Sequence, residues 1–187
     1  MIRDFVMVRK LSITELERLT PEEYREATKT PLVVVLDNIR SMHNIGSVFR
    51  TCDAFRAEAV YLCGISSTPP HPEIHKSALG AEETVSWKYF ADTLVAVEEL
   101  RSEGYRVYAV ELAEGSIKLP ELSLPRDEKV AVVLGHEVKG VQQSVIDRCD
   151  ACIEIPQLGT KHSLNVSVTG GIIIWEIFKQ LSHGLER

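Results

Sequence analysis

Five short, largely unbroken apolar runs punctuate the chain: Leu32–Leu36, Ala59–Cys63, Tyr105–Val110, Val130–Leu134 and Ala151–Ile155. Runs of this length without regular apolar–polar alternation predict strands buried on both faces. Between them, apolar positions recur at helical spacing over Ile45–Phe55, Ala91–Glu103 and Val141–Arg148, and a last helix is predicted from Asn165 to about Leu181. Strands alternating with helices predict an α/β fold, a mostly parallel sheet with helices on both faces. Upstream, Thr20-Pro21-Glu22-Glu23 is a helix start: Thr20 caps, Pro21 occupies the first turn and Glu23 completes a capping box. Residues 1–30 are therefore expected to form a short helical extension ahead of one domain at 31–187. Ser66–Pro72, with three prolines, reads as an ordered loop, and Glu111–Lys129 as a second irregular stretch.

The apolar strand at Ala151–Ile155 stops at Pro156, and a polar loop containing Gly159 leads to Ser163 and Asn165 at the start of the last helix. Small polar groups at a helix N-terminus form a natural seat for a polar ligand, although Ser and Asn are also ordinary capping residues. In open α/β sheets ligands bind beyond the carboxyl ends of the strands. The segments predicted there, Asp37–Asn44, Gly64–Lys76, Gly135–Gly140 and Pro156–Asn165, hold five of the six histidines together with Arg40, Lys76, Lys139 and Lys161.

Composition narrows the function classes. A length of 187 residues, 44% hydrophobic and 26% charged, suits one soluble globular domain. The longest clean apolar stretch, Gly170–Phe178, contains Glu176 and is too short to span a bilayer, and MIRDFVMVRK lacks a secretory h-region, so a cytoplasmic protein with no membrane partner is expected. The net charge of −6 gives no bulk grip on nucleic acid, which leaves a local basic rim as the way to hold it. No GxGxxG follows a strand. Gly135–Gly140 has phosphate-loop spacing, but Val141-Gln142 stands where Lys-Ser/Thr is required. Cys149 and Cys152 form a lone CxxC without a second ligand pair, and His71 and His75 lack an obvious third ligand, so no metal is assigned.

Three junctions remain: Leu36–Asp53, Val132–Val141 and Ile153–Asn165. At these residues the chain resembles the SpoU (TrmH-like) family of RNA 2′-O-ribose methyltransferases, within the SPOUT superfamily. The resemblance runs from about Leu32 to Leu181. Asn44-x-Gly46-x-x-x-Arg50 matches the family's first motif. Gly135-His-Glu-Val-Lys-Gly140 matches its Gly-Asn-Glu-Gly-x-Gly motif, with His136 and Val138 as departures. Ser163-Leu164-Asn165 matches its Ser-Leu-Asn.

The resemblance implies a C-terminal deep trefoil knot, a topology that patterning cannot reveal. It also implies S-adenosyl-L-methionine as cofactor, RNA as substrate and a homodimer with active sites near its interface. Arg50 falls at the catalytic arginine and would stabilise the developing alkoxide and contact phosphate, since a guanidinium is ordinarily always protonated. Glu137 would orient Asn44 or Arg50. Ser163 would bind the target phosphate or ribose, and Asn165 would hold the geometry at the helix start. Leu134, Gly135, Ile155, Leu158, Gly159 and Leu164 are the expected cofactor contacts. A chain with only short helical extensions resembles compact tRNA-modifying members, so tRNA is favoured over rRNA. A non-catalytic RNA-binding module with the same fold, and methyl transfer to a base or small molecule, are the competing readings.

Overall fold

The structure, a computed structural model, describes residues 8–182. The first seven residues of the expected extension and the last five of the expected domain lie outside the described residues.

Seven strands form one sheet: β1 (Thr30–Asp37), β2 (Ala57–Cys63), β3 (Ser86–Phe90), β4 (Arg106–Val110), β5 (Ile117–Lys118), β6 (Val130–Leu134) and β7 (Ala151–Glu154), in the order β3-β2-β1-β6-β4-β7-β5. Every pairing between them is parallel. The helices are α1 (Pro21–Glu26), α2 (Met42–Ala54), α3 (Pro72–Ala78), α4 (Ala81–Thr84), α5 (Thr93–Ser102), α6 (Gln143–Ile146) and α7 (Val166–Leu181).

Both faces of the central strands are buried, as the unbroken apolar runs require. Leu32, Val34 and Leu36 of β1 point into one core with Ile45 and Phe49 of α2, Ile74 of α3 and Ile173 and Ile177 of α7. Val33 and Val35 point the other way, against Val97 and Leu100 of α5 and Val145 of α6. The N-terminal capping box forms: the Thr20 hydroxyl accepts from the Glu23 N–H, and the Glu23 carboxylate accepts from the Thr20 N–H. Tyr24 of α1 is buried in the first core, so the N-terminal helix is seated on the sheet domain.

The elements depart from the sequence expectation where burial is one-sided or the element is short. β3, Ser-Trp-Lys-Tyr-Phe, has no unbroken apolar run because it is an exposed edge strand. β5 is a two-residue strand inside the stretch expected to be irregular. α3 begins at Pro72, with His71 as its cap: the His71 Nδ1 accepts from the Glu73 N–H. α6 covers only Gln143–Ile146 of the predicted Val141–Arg148, and Asn165 stands outside α7 as its cap. Cys149 and Cys152 are free thiols. Burial pushes the Cys149 thiol up to about 12 and raises that of Cys152.

Candidate active site

The three motif junctions meet beyond the carboxyl ends of β1, β6 and β7. Ser41 caps α2, its hydroxyl accepting from the Asn44 N–H, which sets Asn44 one turn into the helix. Glu137, in the loop after β6, spans the gap. Its Oε1 accepts from the Ser41 N–H at 3.0 Å and from the Asn44 Nδ2 at 3.2 Å, while its Oε2 accepts from the Arg40 N–H at 3.2 Å. A carboxylate here neutralises the unsatisfied N–H groups and the positive dipole end at the start of α2. The Asn44 Oδ1 in turn accepts from the Asn165 Nδ2 at 3.1 Å. The Asn165 Oδ1 caps α7, accepting from the Ser167 and Val168 N–H groups. One continuous hydrogen-bond chain, Glu137–Asn44–Asn165, thus ties together positions far apart in sequence.

Burial pushes the Glu137 carboxyl up, but hydrogen bonds from its own N–H and from Ser41, Arg40 and Asn44 together outweigh it and hold the group below the ordinary carboxylate range. A depressed folded-state value means that its stabilisation is fully present above about pH 4.5 and is lost as pH falls through the folded value. Glu137→Gln is expected to cost about 1–3 kcal/mol at pH 7, because an amide NH₂ then faces backbone N–H donors. Melting temperatures of both proteins between pH 7 and pH 3.5 check this: the wild type should lose its advantage over the variant at the acid end.

The loop that carries Glu137 is closed on itself. His136 and Gly140 exchange backbone hydrogen bonds of 3.1 and 2.8 Å. A Cβ on Gly135 would lie 2.2 Å from both the Gly140 carbonyl carbon and the Val141 nitrogen, so the glycine is required by its own loop. The His136 Nδ1 accepts from the Val138 and Lys139 N–H groups, so this histidine holds the turn by a side-chain acceptor where the family pattern has Asn.

Beside this chain lies a cavity of about 560 Å³, within the usual range for small-molecule sites. Leu134, Gly135, Ile155 and Leu164 line it, as do Glu137 and Ser163. Leu158 and Gly159 do not: Leu158 is fully exposed, and no atom lies within 4 Å of a Cβ built on Gly159. Arg50 also stands apart. It is exposed, six residues beyond Asn44 on α2 and so about 9 Å further along the axis. Glu137 bonds Asn44 and backbone groups, and among the described residues no ion pair engages Arg50. The sequence reading missed the segment after β4. Glu111 lines the cavity and braces it, its two carboxylate oxygens accepting from the Leu112 and Val141 N–H groups. The signal was available, since Glu111 directly follows a strand at its carboxyl end.

Residues 31–175 match the family described as the SpoU rRNA Methylase family. The chain belongs to the SpoU family. Among relatives, it is 36% identical over 179 residues to the 23S rRNA (guanosine-2′-O-)-methyltransferase RlmB of Nitrosomonas europaea, covering 91% of this chain and 65% of that protein. It is 30% identical over 167 residues to the tRNA (guanosine(18)-2′-O)-methyltransferase of Thermus thermophilus, covering 89% of this chain and 84% of that one. The AdoMet-bound rRNA methyltransferase of Sinorhizobium meliloti superposes with a TM-score of 0.76 at 27% identity, over 90% of this chain and 62% of that one. This SpoU chain spans 63% of the length of its Staphylococcus aureus relatives.

Proposed function

We propose that the chain is an S-adenosylmethionine-dependent methyltransferase acting on a ribose 2′-hydroxyl of RNA, with tRNA favoured over rRNA. The observation that carries this reading is the Glu137–Asn44–Asn165 hydrogen-bond chain, which unites all three family motifs in one place and whose Glu137 lines the cavity. Family membership supports the activity. The tRNA preference is supported by coverage: the relative named for tRNA is matched over 84% of its length and the one named for 23S rRNA over 65%.

The cavity fits the cofactor by its donor set. Leu134, Ile155 and Leu164 offer apolar wall to an adenine ring, and Glu114 and Glu154 offer carboxylates to a cationic ligand. When bound, S-adenosylmethionine supplies a methyl group already activated by its sulfonium, so the residues here need only position and stabilise. The ribose oxygen must lose its proton as it attacks. Glu137, saturated with donors and held at low pKa, is a poor base and acts as a positioning residue. Arg50, which makes no ion pair among the described residues, is assigned by the family resemblance to stabilising negative charge on the oxygen and to contacting a phosphate. Ser163, exposed on the cavity wall, holds the phosphate or ribose.

The same reading takes in the C-terminal knot: loops after β4, β6 and β7 converge on a single cavity, as a threaded cofactor site requires. It takes in a homodimer, supported by the exposed stripe Val168, Ile172 and Trp175 along α7. Residues 1–30 are read as an extension of a domain at 31–187. A cytoplasmic location is part of the proposal; among the described residues no helix is long and apolar enough to cross a membrane.

Incubating the protein with labelled cofactor and either unfractionated tRNA or rRNA, then mapping the product, tests the reading. Label at a ribose 2′-oxygen of tRNA is the expected result. Label on a base overturns the reaction class, and RNA binding without label overturns the enzyme in favour of a binding module.

A further inference from the structure

We infer that the edge strand β3 carries a stacking ledge, built from Tyr89 and Ile65 with Trp87 behind them, which receives an unpaired base flanking the target nucleotide. The inference rests on the RNA reading above and extends it to a second contact on the substrate.

The ledge follows from the register of the sheet. Trp87 and Tyr89 pair with Val60 and Leu62, whose side chains enter the core under α2 and α3. Residues two apart share a face, so both aromatics lie on that side of the sheet. Yet Trp87 is 37% exposed and Tyr89 49% exposed, because β3 is the edge strand and the helices do not cover it fully. Lys88 points to the opposite face and is paired with Glu99. The Tyr89 hydroxyl donates to the Gly64 carbonyl at 2.9 Å, which pins the ring against the loop after β2, where Ile65 is 62% exposed. A ring held by its hydroxyl has already lost much of its rotational freedom, so stacking on it costs little further ordering.

The ledge is continuous with the candidate site. The Ile65 N–H donates to the Asn38 Oδ1, and two residues on the Arg40 N–H donates to Glu137. The loops after β3, β2, β1 and β6 therefore form one rim in the spatial order of the strands. At about 4.8 Å per strand, β3 lies about 14 Å from β6, a reach that a splayed neighbour of the target nucleotide covers. Between them stands Arg40, exposed and without an ion-pair partner among the described residues, placed to meet the intervening phosphate. Sequence-specific RNA recognition characteristically stacks unpaired bases on aromatic side chains. Three side chains are too few to cover the roughly 800 Å² per partner that a stable protein interface buries, which favours a base over a second protein.

The test uses the full chain and the RNA pool that accepts methyl in the wild type. Tyr89→Ala should raise the KM for RNA about tenfold, the effect of losing one base–aromatic stack, with kcat within about twofold and cofactor affinity unchanged. Tyr89→Phe, which keeps the ring, should stay close to the wild type. Trp87 and Trp175 are the two tryptophans, so in a Trp175→Phe background saturating RNA should quench the emission of Trp87. A Tyr89→Ala protein with unaltered KM for RNA overturns the ledge and leaves the methyltransferase reading intact. A Tyr89→Ala change in oligomeric mass also overturns it, in favour of a protein contact. Quenching of Trp87 by an RNA that is bound and never methylated would support the ledge while removing the enzyme reading.

Discussion

Arg50→Ala should lower the rate of methyl transfer by roughly 10²–10³, the effect of removing one donor aimed at developing negative charge, while leaving the fold almost untouched. Arg50 is exposed and makes no ion pair among the described residues, so the stability change should stay within about 0.5 kcal/mol, as for surface positions without special contacts. That separation makes the variant informative: lost activity in a protein of unchanged melting temperature can only come from chemistry or RNA contact. Single-turnover rates at saturating RNA separate the two. A rate within threefold of the wild type would remove Arg50 from the reaction.

Gly46→Ala should do the reverse and act first on the fold. A Cβ at this position would lie 2.2 Å from the Ser77 Oγ and 2.3 Å from the Ile74 carbonyl oxygen, where α3 crosses α2. Ser77 can rotate away, but the Ile74 carbonyl is backbone and moves only with its helix. The expected cost is about 3 kcal/mol, the upper end of ordinary overpacking, measured as a drop in the denaturation midpoint at unchanged slope. Activity should fall as well, because displacing α2 moves Asn44 and Arg50 together. A Gly46→Ala protein as stable as the wild type would show that α3 yields freely at this crossing. The glycine of the Asn-x-Gly motif is thus explained by helix packing, not by contact with a ligand.

What could be read from sequence follows from burial. The central strands are unbroken apolar runs because helices cover both of their faces, and Leu32–Leu36 and Val130–Leu134 show this most plainly. β3 escaped because Trp87, Lys88 and Tyr89 face partly outward at the sheet edge, and β5 because two residues carry no period. Asn44, Glu137 and Asn165 were reached by resemblance to a family, and their mutual hydrogen bonds are a matter of three-dimensional placement that no spacing encodes. Glu111 went unread because the stretch after it lacks regular elements. Leu158 and Gly159 sit in the right segment, but the loop holds them away from the cavity. His136 departs from the family pattern, and its ring supplies the acceptor that its own turn uses.

The place of β6 between β1 and β4 governs how the chain can be made. Val34 finds its partner Val132 only after most of the polypeptide has left the ribosome. Until then β1 can pair with β2, and β2 with β3, leaving the inner edge of β1 as an unsatisfied ladder of backbone donors and acceptors. Sheets closed by such distant pairings form slowly and expose sticky surface while they wait. The nascent chain is therefore most vulnerable to misassociation during the stretch of synthesis between Asp37 and Val130, before Glu137 and Asn165 can join Asn44 in the candidate site.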